Sequence, residues 1–365
     1  MRSGPLTDLR IVEFAGLGAA PFCSMLLAEL GADVVRVDRP GAAAPSAYSL
    51  ISRSRRSITL DLKAPRDVEV ALRLIGKADA LTESFRPGVM ERLGLGPEIA
   101  LAHHPRLVYG RLSGWGQDGP LAQAAGHDIN YTALSGALHA MGTPEQPSIP
   151  LNLVADLGGG ALYLGIGVLA GVLHARSTGQ GQVVDCAMSD GAVSLMTMYY
   201  GAVAAGDWKD QRLSNRLDGG AYFYSTYQCA DGQWIALGPL EPQFYSRLLT
   251  LLGIDGQTGW DQYEERGSWA TRRARLADLI RQRPRTEWIA LLEGTDACFA
   301  PVLSLTDAPL HPHHLARDTF VSAFGIRQPA PAPRFSRTPG VIQGPPPRPG
   351  EHTQEILAEW GIEKA

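Results

Sequence analysis

With 365 residues, 45% of them hydrophobic and 19% charged, the chain can bury a large core and hold one big domain or two smaller ones, which excludes a disordered protein. A net charge of -4 excludes a broadly basic nucleic-acid-binding surface and leaves room only for a local basic pocket for a small polyanion. The N-terminal part alternates strand and helix. Residues 9–14 (LRIVEF) read as a buried strand. Gly16 and Gly18 mark a turn, and Pro21 suits the first turn of a helix that runs to Leu30 and is ended by Gly31. Residues 33–37 (DVVRV) form the next strand, so the chain opens as a βαβ unit and a parallel sheet with covering helices is expected. Further strands are read at 57–62 (SITLDL), 80–83 and 107–111 (LVYGR), with a helix at 66–76. From Gly126 to about Gly206 the pattern turns to helical segments rich in small residues. Within them, residues 157–173 are uncharged and rich in glycine; they fall short of the ~20 apolar residues that span a bilayer, and Asp156 and Arg176 fence them, so a buried helix is expected. A second region, from about Gly219 to Ala308, begins with the strand-like YFYSTYQCADGQWIALG, whose ADG at 230–232 reads as a hairpin turn. Helices are read at 243–252, 269–282 and 286–292. The Pro-rich tail at 328–350 reads as extended chain laid on a surface, ended by a helix at 351–360.

Residues 1–14 carry no apolar signal core, and the C-terminal WGIEKA is neither a peroxisomal nor an ER address. Cys23, Cys186, Cys229 and Cys298 are isolated, without metal-ligand spacing, and read as buried reduced thiols. A cytoplasmic protein is expected.

Several constellations could carry chemistry. Gly16-Leu-Gly18 followed by Asp38 is similar to a nicotinamide-binding fingerprint, but Pro21 stands where the third glycine belongs, which leaves a plain strand–helix turn. Arg39, Arg53, Arg55, Arg56, Lys63, Arg86 and Arg92 are expected at or near the C-terminal ends of strands, where open parallel sheets bind ligands. They would suit the phosphates of coenzyme A or be a solvated basic surface. His127 beside Asp128, in a Gly-led and mostly uncharged stretch, is either a proton-exchanging group or a structurally bonded histidine. Asp156 precedes three glycines where the apolar helix should begin; it is either a bare N-cap or part of a site that holds an enolate oxygen at the helix start. His311-Pro-His-His314 lacks a further ligand at metal spacing, so no metal is expected. Met188, Met196 and Met198 are spaced as core filler or as a pliable apolar surface for an acyl tail.

Over nearly its whole length the sequence resembles the family III coenzyme-A transferases, and within them the α-methylacyl-CoA racemases. The stretches that carry the resemblance include GPLTDLRIVEFAGLGAAPF, LGADVVRVDRP, LDLK, ESFRPGVMERLGLGP, LSGWGQDGP, AGHDINY, PLNLVADLGGG, STGQGQVVDCAM, LDGGAYFYSTY, LEPQFY and GTDAC. The resemblance implies an α/β fold: a large Rossmann-like coenzyme-A-binding domain from 1–187 and 328–365 and a smaller α+β domain at 219–308. Linkers at 188–218 and 309–327 would join them, and two chains would interlock as a homodimer. It implies a racemase acting on an acyl-CoA by two-base proton transfer through an enolate, with His127 and Asp156 as the two bases and Glu241 (in LEPQF) and Asp128 as supporting acids that orient and tune the histidine. Arg39, Leu62, Lys63, Ser84, Phe85, Arg86, Arg92, Gly126, Ile129, Asn130 and Tyr131 match coenzyme-A contacts. No metal and no separate cofactor are implied, coenzyme A being part of the substrate, and neither a nucleic-acid nor a membrane partner. The nearest alternative is a family III transferase with Asp156 as nucleophile, whose members lack the histidine of GHDINY. A nicotinamide dehydrogenase and a non-catalytic acyl-CoA-binding protein are the remaining rivals.

Overall fold

Apolar residues of the N-terminal half build a six-stranded sheet in the computed structural model, which describes residues 2–362. The last three residues of the WGIEKA segment lie outside the described residues. The strands β1 (Arg10–Phe14), β2 (Asp33–Asp38), β3 (Arg56–Thr59), β4 (Ala80–Glu83), β5 (Val108–Ser113) and β6 (Gln182–Ala187) follow the order β3-β2-β1-β4-β5-β6, every pairing parallel. Along the chain run helices α1 (Ala19–Glu29), α2 (Pro65–Ile75), α3 (Val89–Arg92), α4 (Pro97–His103), α5 (Asp128–Leu134), α6 (Ala137–Ala140), a π-helix (Leu153–Leu162) that continues into α7 (Tyr163–Thr178), α8 (Met188–Leu195) and α9 (Thr197–Ala205). Successive strand side chains point to opposite faces. Val12, Phe14, Val35 and Leu81 therefore share one core with Leu74 of α2, and Ile11, Val34, Ala80 and Val108 share the other with α1 and α7. Both faces are covered, as a parallel sheet requires. The strand order reverses between β1 and β4, which sets a ligand crevice at their C-terminal ends.

Two compact units form: Met1–Ala137, Pro150–Thr197 and Asp318–Ala365 make the first, Leu138–Ile149 and Met198–Arg317 the second. The second holds an antiparallel sheet of β7 (Ser225–Gln228), β8 (Trp234–Leu237) and β9 (Phe299–Pro301) with α10 (Pro242–Leu252), α11 (Trp269–Ile280), α12 (Arg285–Leu292) and α13 (Pro312–Ala316). Its hairpin turns at the ADG, with Gly232 at φ 76°. The hairpin of β10 (Phe320–Ala323) and β11 (Ile326–Pro329) and α14 (Thr353–Glu359) return to the first unit. The proline-rich tail is tied down there by backbone: Ser54 N–H donates to Gly344 O at 2.9 Å, and Val341 N–H to Glu29 O at 2.9 Å.

Four expectations need correction. The small-residue stretch after Gly126 is not all helical, because QVVDCA is β6; it is an edge strand with Val183 40% exposed, so it lacks the apolar run of its buried neighbours. Residues 188–218, read as a linker, carry α8 and α9. The apolar helix is buried on one face only. Leu164, Val168, Val172 and Ala175 pack on the sheet, while Ile166 and Leu173 are 64% and 70% exposed. By length and composition Leu153–Thr178 could cross a membrane, and this packed face makes it a layer of the sheet domain. Cys298 is exposed, unlike the other three cysteines.

The largest revision concerns the arginines before β3. Arg53, Arg55 and Arg56 lie before or at its N-terminal end, not its C-terminal end, and all three are spent on carboxylates. Arg53 pairs with Glu29 and donates to Gln328 Oε1 at 2.7 Å. Arg55 straddles Glu13 at 2.5 and 2.6 Å, with side chains 1% and 0% exposed. Arg56 binds Asp33, Glu355 and Glu359. Breaking a buried pair leaves one charge unpaired in low dielectric, so Arg55→Ala should cost about 3–5 kcal/mol of stability. A denaturant midpoint should register that loss, while coenzyme-A affinity stays at the wild-type value.

Candidate active site

At the C-terminal ends of β1, β4 and β5, where the strand order reverses, a cleft of about 340 Å³ opens in the first unit. Its walls bring together His127, Asp156, Ser84, Phe85, Arg86, Gly126 and Tyr131 from the candidate set, with Leu17, Gly18, Trp115 and Met188 beside them. Residues 29 positions apart in the chain thus share one small volume, because the β5–β6 crossover carries both α5 and the π-helix over the sheet edge.

His127 is the last extended residue before α5, at φ -136° and ψ 174°. Its N–H donates to Asn130 Oδ1 at 3.0 Å, and its carbonyl accepts from Asn130 N–H at 2.8 Å, a reciprocal clasp that fixes the backbone and leaves the imidazole exposed.

Asp156 sits in the first turn of the π-helix, half-buried. Leu157 N–H reaches back five residues to Asn152 O at 3.3 Å, the wider winding that marks such turns. Asn152 Nδ2 donates to Asp156 Oδ2 at 3.3 Å. Burial pushes the Asp156 carboxyl above the usual carboxylate range; the Asn152 hydrogen bond opposes the shift, the Asp128 carboxylate adds to it, and His127 opposes it weakly.

Asp128 takes a different role from the one expected. Its carboxylate is buried and accepts from Ala155 N–H at 2.8 Å, Asp156 N–H at 2.7 Å and the Thr132 hydroxyl at 3.0 Å. It therefore caps the helix that carries Asp156, so the N-cap reading of Asp156 passes to a residue 28 positions earlier. The same bonds occupy the N–H groups expected to hold an enolate oxygen at that helix start. Nor do the glycines open a path to a ligand. A Cβ on Gly191 of α8 would stand 1.8 Å from Gly159 O, so they let the π-helix and α8 touch backbone to backbone.

Arg39 follows β2, Lys63 follows β3, and Arg86 and Arg92 follow β4. All four side chains are exposed and have no ion-pair partner among the described residues, in contrast to Arg53, Arg55 and Arg56. Of these four only Arg86 lines the cleft itself. Leu62 packs against the core, and Ile129 and Asn130 are exposed on α5. Glu241 lies in the second unit, just before α10, on a cleft of about 480 Å³ shared with Met198, Tyr199, Trp208 and Leu240. Met198 is exposed and lines a cleft, whereas Met188 both lines the active-site cleft and packs against the core. Asn152 and Trp115 were missed; the first stands one helical turn before Asp156 in PLNLVAD, a visible signal, and the second had none.

Two rival constellations dissolve. Asp38 accepts from Arg36 Nε and from Ser57 Oγ at 2.6 Å, which leaves no carboxylate for a ribose. Among the described residues no group of three or more His, Cys, Asp or Glu side chains could hold a metal ion, and His311 Nε2 lies 2.8 Å from Glu293.

A family model described as CoA-transferase family III matches residues 6–353. The chain is 43% identical to the alpha-methylacyl-CoA racemase of Mus musculus, over 98% of this chain and 93% of that protein. It is also 43% identical to the Homo sapiens protein of the same name, over 98% and 94%. The crystal structure of a CAIB/BAIF family protein from Brucella suis superposes with a TM-score of 0.84 at 26% identity, covering 98% of this chain and all of that one.

Proposed function

Because the chain belongs to CoA-transferase family III, we propose that it is an isomerase that interconverts (2R)- and (2S)-2-methylacyl-CoA thioesters by moving one proton at the carbon next to the thioester carbonyl. The observation that carries this reading is the shared cleft of His127 and Asp156. One group removes the α-proton, the electron pair flows to the carbonyl oxygen, and the other group returns a proton to the opposite face of the planar enolate. Two different groups account for inversion; a single base would return the proton to the side it came from. A carboxyl held above the usual range favours this work, since its protonated form acts as an acid toward one enantiomer and its ionised form as a base toward the other.

Coenzyme A is part of the substrate, and its phosphates are assigned to the open cations Arg39, Lys63, Arg86 and Arg92. The reaction is redox-neutral and the thioester itself acidifies the α-carbon, so the proposal includes no metal and no separate cofactor. Glu241 is assigned the tuning of His127 on the LEPQF resemblance alone. A homodimer is part of the proposal, supported by the exposed apolar residues of α7 opposite its packed face, and no membrane partner is included. A reducing, cytoplasmic setting is supported by four free cysteines.

Exchange is the test. In deuterated water the wild-type protein should replace the α-hydrogen of either enantiomer with deuterium and bring both to one mixture, with no second carboxylic acid present. A requirement for such an acid, with hydroxylamine trapping of an acyl group on Asp156, would instead make the protein a transferase.

A further inference from the structure

We propose that the Tyr131 hydroxyl is the donor that holds the thioester carbonyl oxygen while it becomes the enolate oxygen. The proposal rests on the racemase reading above and adds a catalytic residue to it. The tyrosine ring is clamped. A Cβ on Gly114 would stand 2.2 Å from Tyr131 Oη, one on Gly126 would stand 2.7 Å from Tyr131 Cε1, and Trp115 meets the ring edge-on with centroids 4.7 Å apart. Any side chain at those glycines would displace the ring, so the slot is built for it. Helical side chains lean toward the N-terminus of their helix, which carries the ring back to Gly126 and sets the hydroxyl against Gly114, just after β5, on the wall of the cleft that His127 and Asp156 share.

Tyr131 as a whole is 7% exposed, yet its hydroxyl has no hydrogen-bond partner among the described residues and is not sealed from the cleft. Several of the other donors nearby are used or closed off. The Ala155 and Asp156 N–H groups serve Asp128. Trp115 Nε1 is buried away from the open volume. Burial raises the pKa of the phenol, and the Asp156 and Asp128 carboxylates raise it further, so the group keeps its proton at neutral pH. It therefore donates without transferring: the Cα–H bond breaks, the proton passes to His127 or Asp156, the electron pair reaches oxygen, and the Tyr131 O–H bond stays intact.

Removing one such donor typically costs about 10²–10³ in turnover. Tyr131→Phe should lower kcat by about 10²-fold in both directions and slow deuterium exchange in parallel, with KM and free coenzyme-A affinity unchanged. An N-alkyl-N-methylcarbamoyl-CoA, whose planar nitrogen stands where the enolate carbon would be, should bind the variant more weakly while the substrate thioester binds as before. Unchanged turnover would show that backbone donors suffice. A loss confined to KM and coenzyme-A affinity would make Tyr131 a binding contact, and a loss in one direction alone would make it a relay to one base; each result overturns the proposal. Should Tyr131→Phe fail to fold, 3-fluorotyrosine at 131 keeps the ring and acidifies the phenol. The alkaline limb of the rate should then move to lower pH, and an unmoved profile overturns the assignment. Absence of exchange by the wild-type protein would sink the racemase reading itself, whereas wild-type exchange matched by Tyr131→Phe would sink only this residue's role.

Discussion

Inversion of either enantiomer is expected to slow by about 10²–10⁴-fold in His127→Ala and equally in Asp156→Asn, while each variant keeps solvent exchange for one enantiomer only. With two bases on opposite faces, losing one leaves the other able to take and return a proton on its own side. The enantiomer facing the surviving base then gains deuterium without inverting, and the other does neither. His127→Ala and Asp156→Asn should select opposite enantiomers. Mass and chirality measured on the same recovered thioester decide the matter; equal exchange of both enantiomers in either variant would mean a single base. Misfolding can be separated from chemistry. A carboxyl raised in the folded state binds its proton more tightly there than in the unfolded chain, so its contribution to stability is lost as pH rises through the folded value. Near neutral pH, Asp156→Asn removes that ionisation cost, and its urea midpoint should equal or exceed the wild-type one.

The sheet was legible because buried parallel strands leave continuous apolar runs, and VVRV, ALTE and LVYGR each sit where a strand does. The edge strand β6 escaped because one face meets solvent and its sequence lies between two helices. The second unit's hairpin was visible in its turn residues, but β9 pairs with β8 from 62 residues away, and no local pattern records such a partner. In the site, residue types left His127 and Asp156 open between structural and chemical roles, the family resemblance singled them out, and the cleft holds both. What local reading missed was the destination of polar groups. Arg53, Arg55 and Arg56 look like open cations until Glu29, Glu13 and Asp33 are placed against them. Asp128 looks like a partner of its neighbour His127 until its carboxylate is found on the backbone of residues 155 and 156. Hydrogen-bond pairing over long sequence separation is settled by packing, not by spacing.

Asp128→Ala should therefore damage the site from behind. The side chain accepts two backbone N–H groups and one hydroxyl, and Ala155 is fully buried, so no water can replace the lost acceptor without opening the packing. Bonds to a charged acceptor contribute about 1.5–3 kcal/mol each and are not additive, which places the expected loss of stability at about 2–4 kcal/mol. Turnover should fall as well, because the start of the π-helix fixes where the Asp156 carboxyl stands. Asp128→Asn separates the two effects, since its carbonyl oxygen can still accept from the helix while the charge is gone. The Asp128 carboxylate helps to raise Asp156, so without it the Asp156 carboxyl should titrate lower. In the direction where Asp156 acts as base, the acid limb of the pH–rate profile moves to lower pH; in the direction where it acts as acid, the alkaline limb moves the same way. Displacement of both limbs, read on opposite enantiomers in Asp128→Asn, ties the buried carboxylate to the proton chemistry of Asp156; a profile unchanged in both directions would reduce Asp128 to a helix cap.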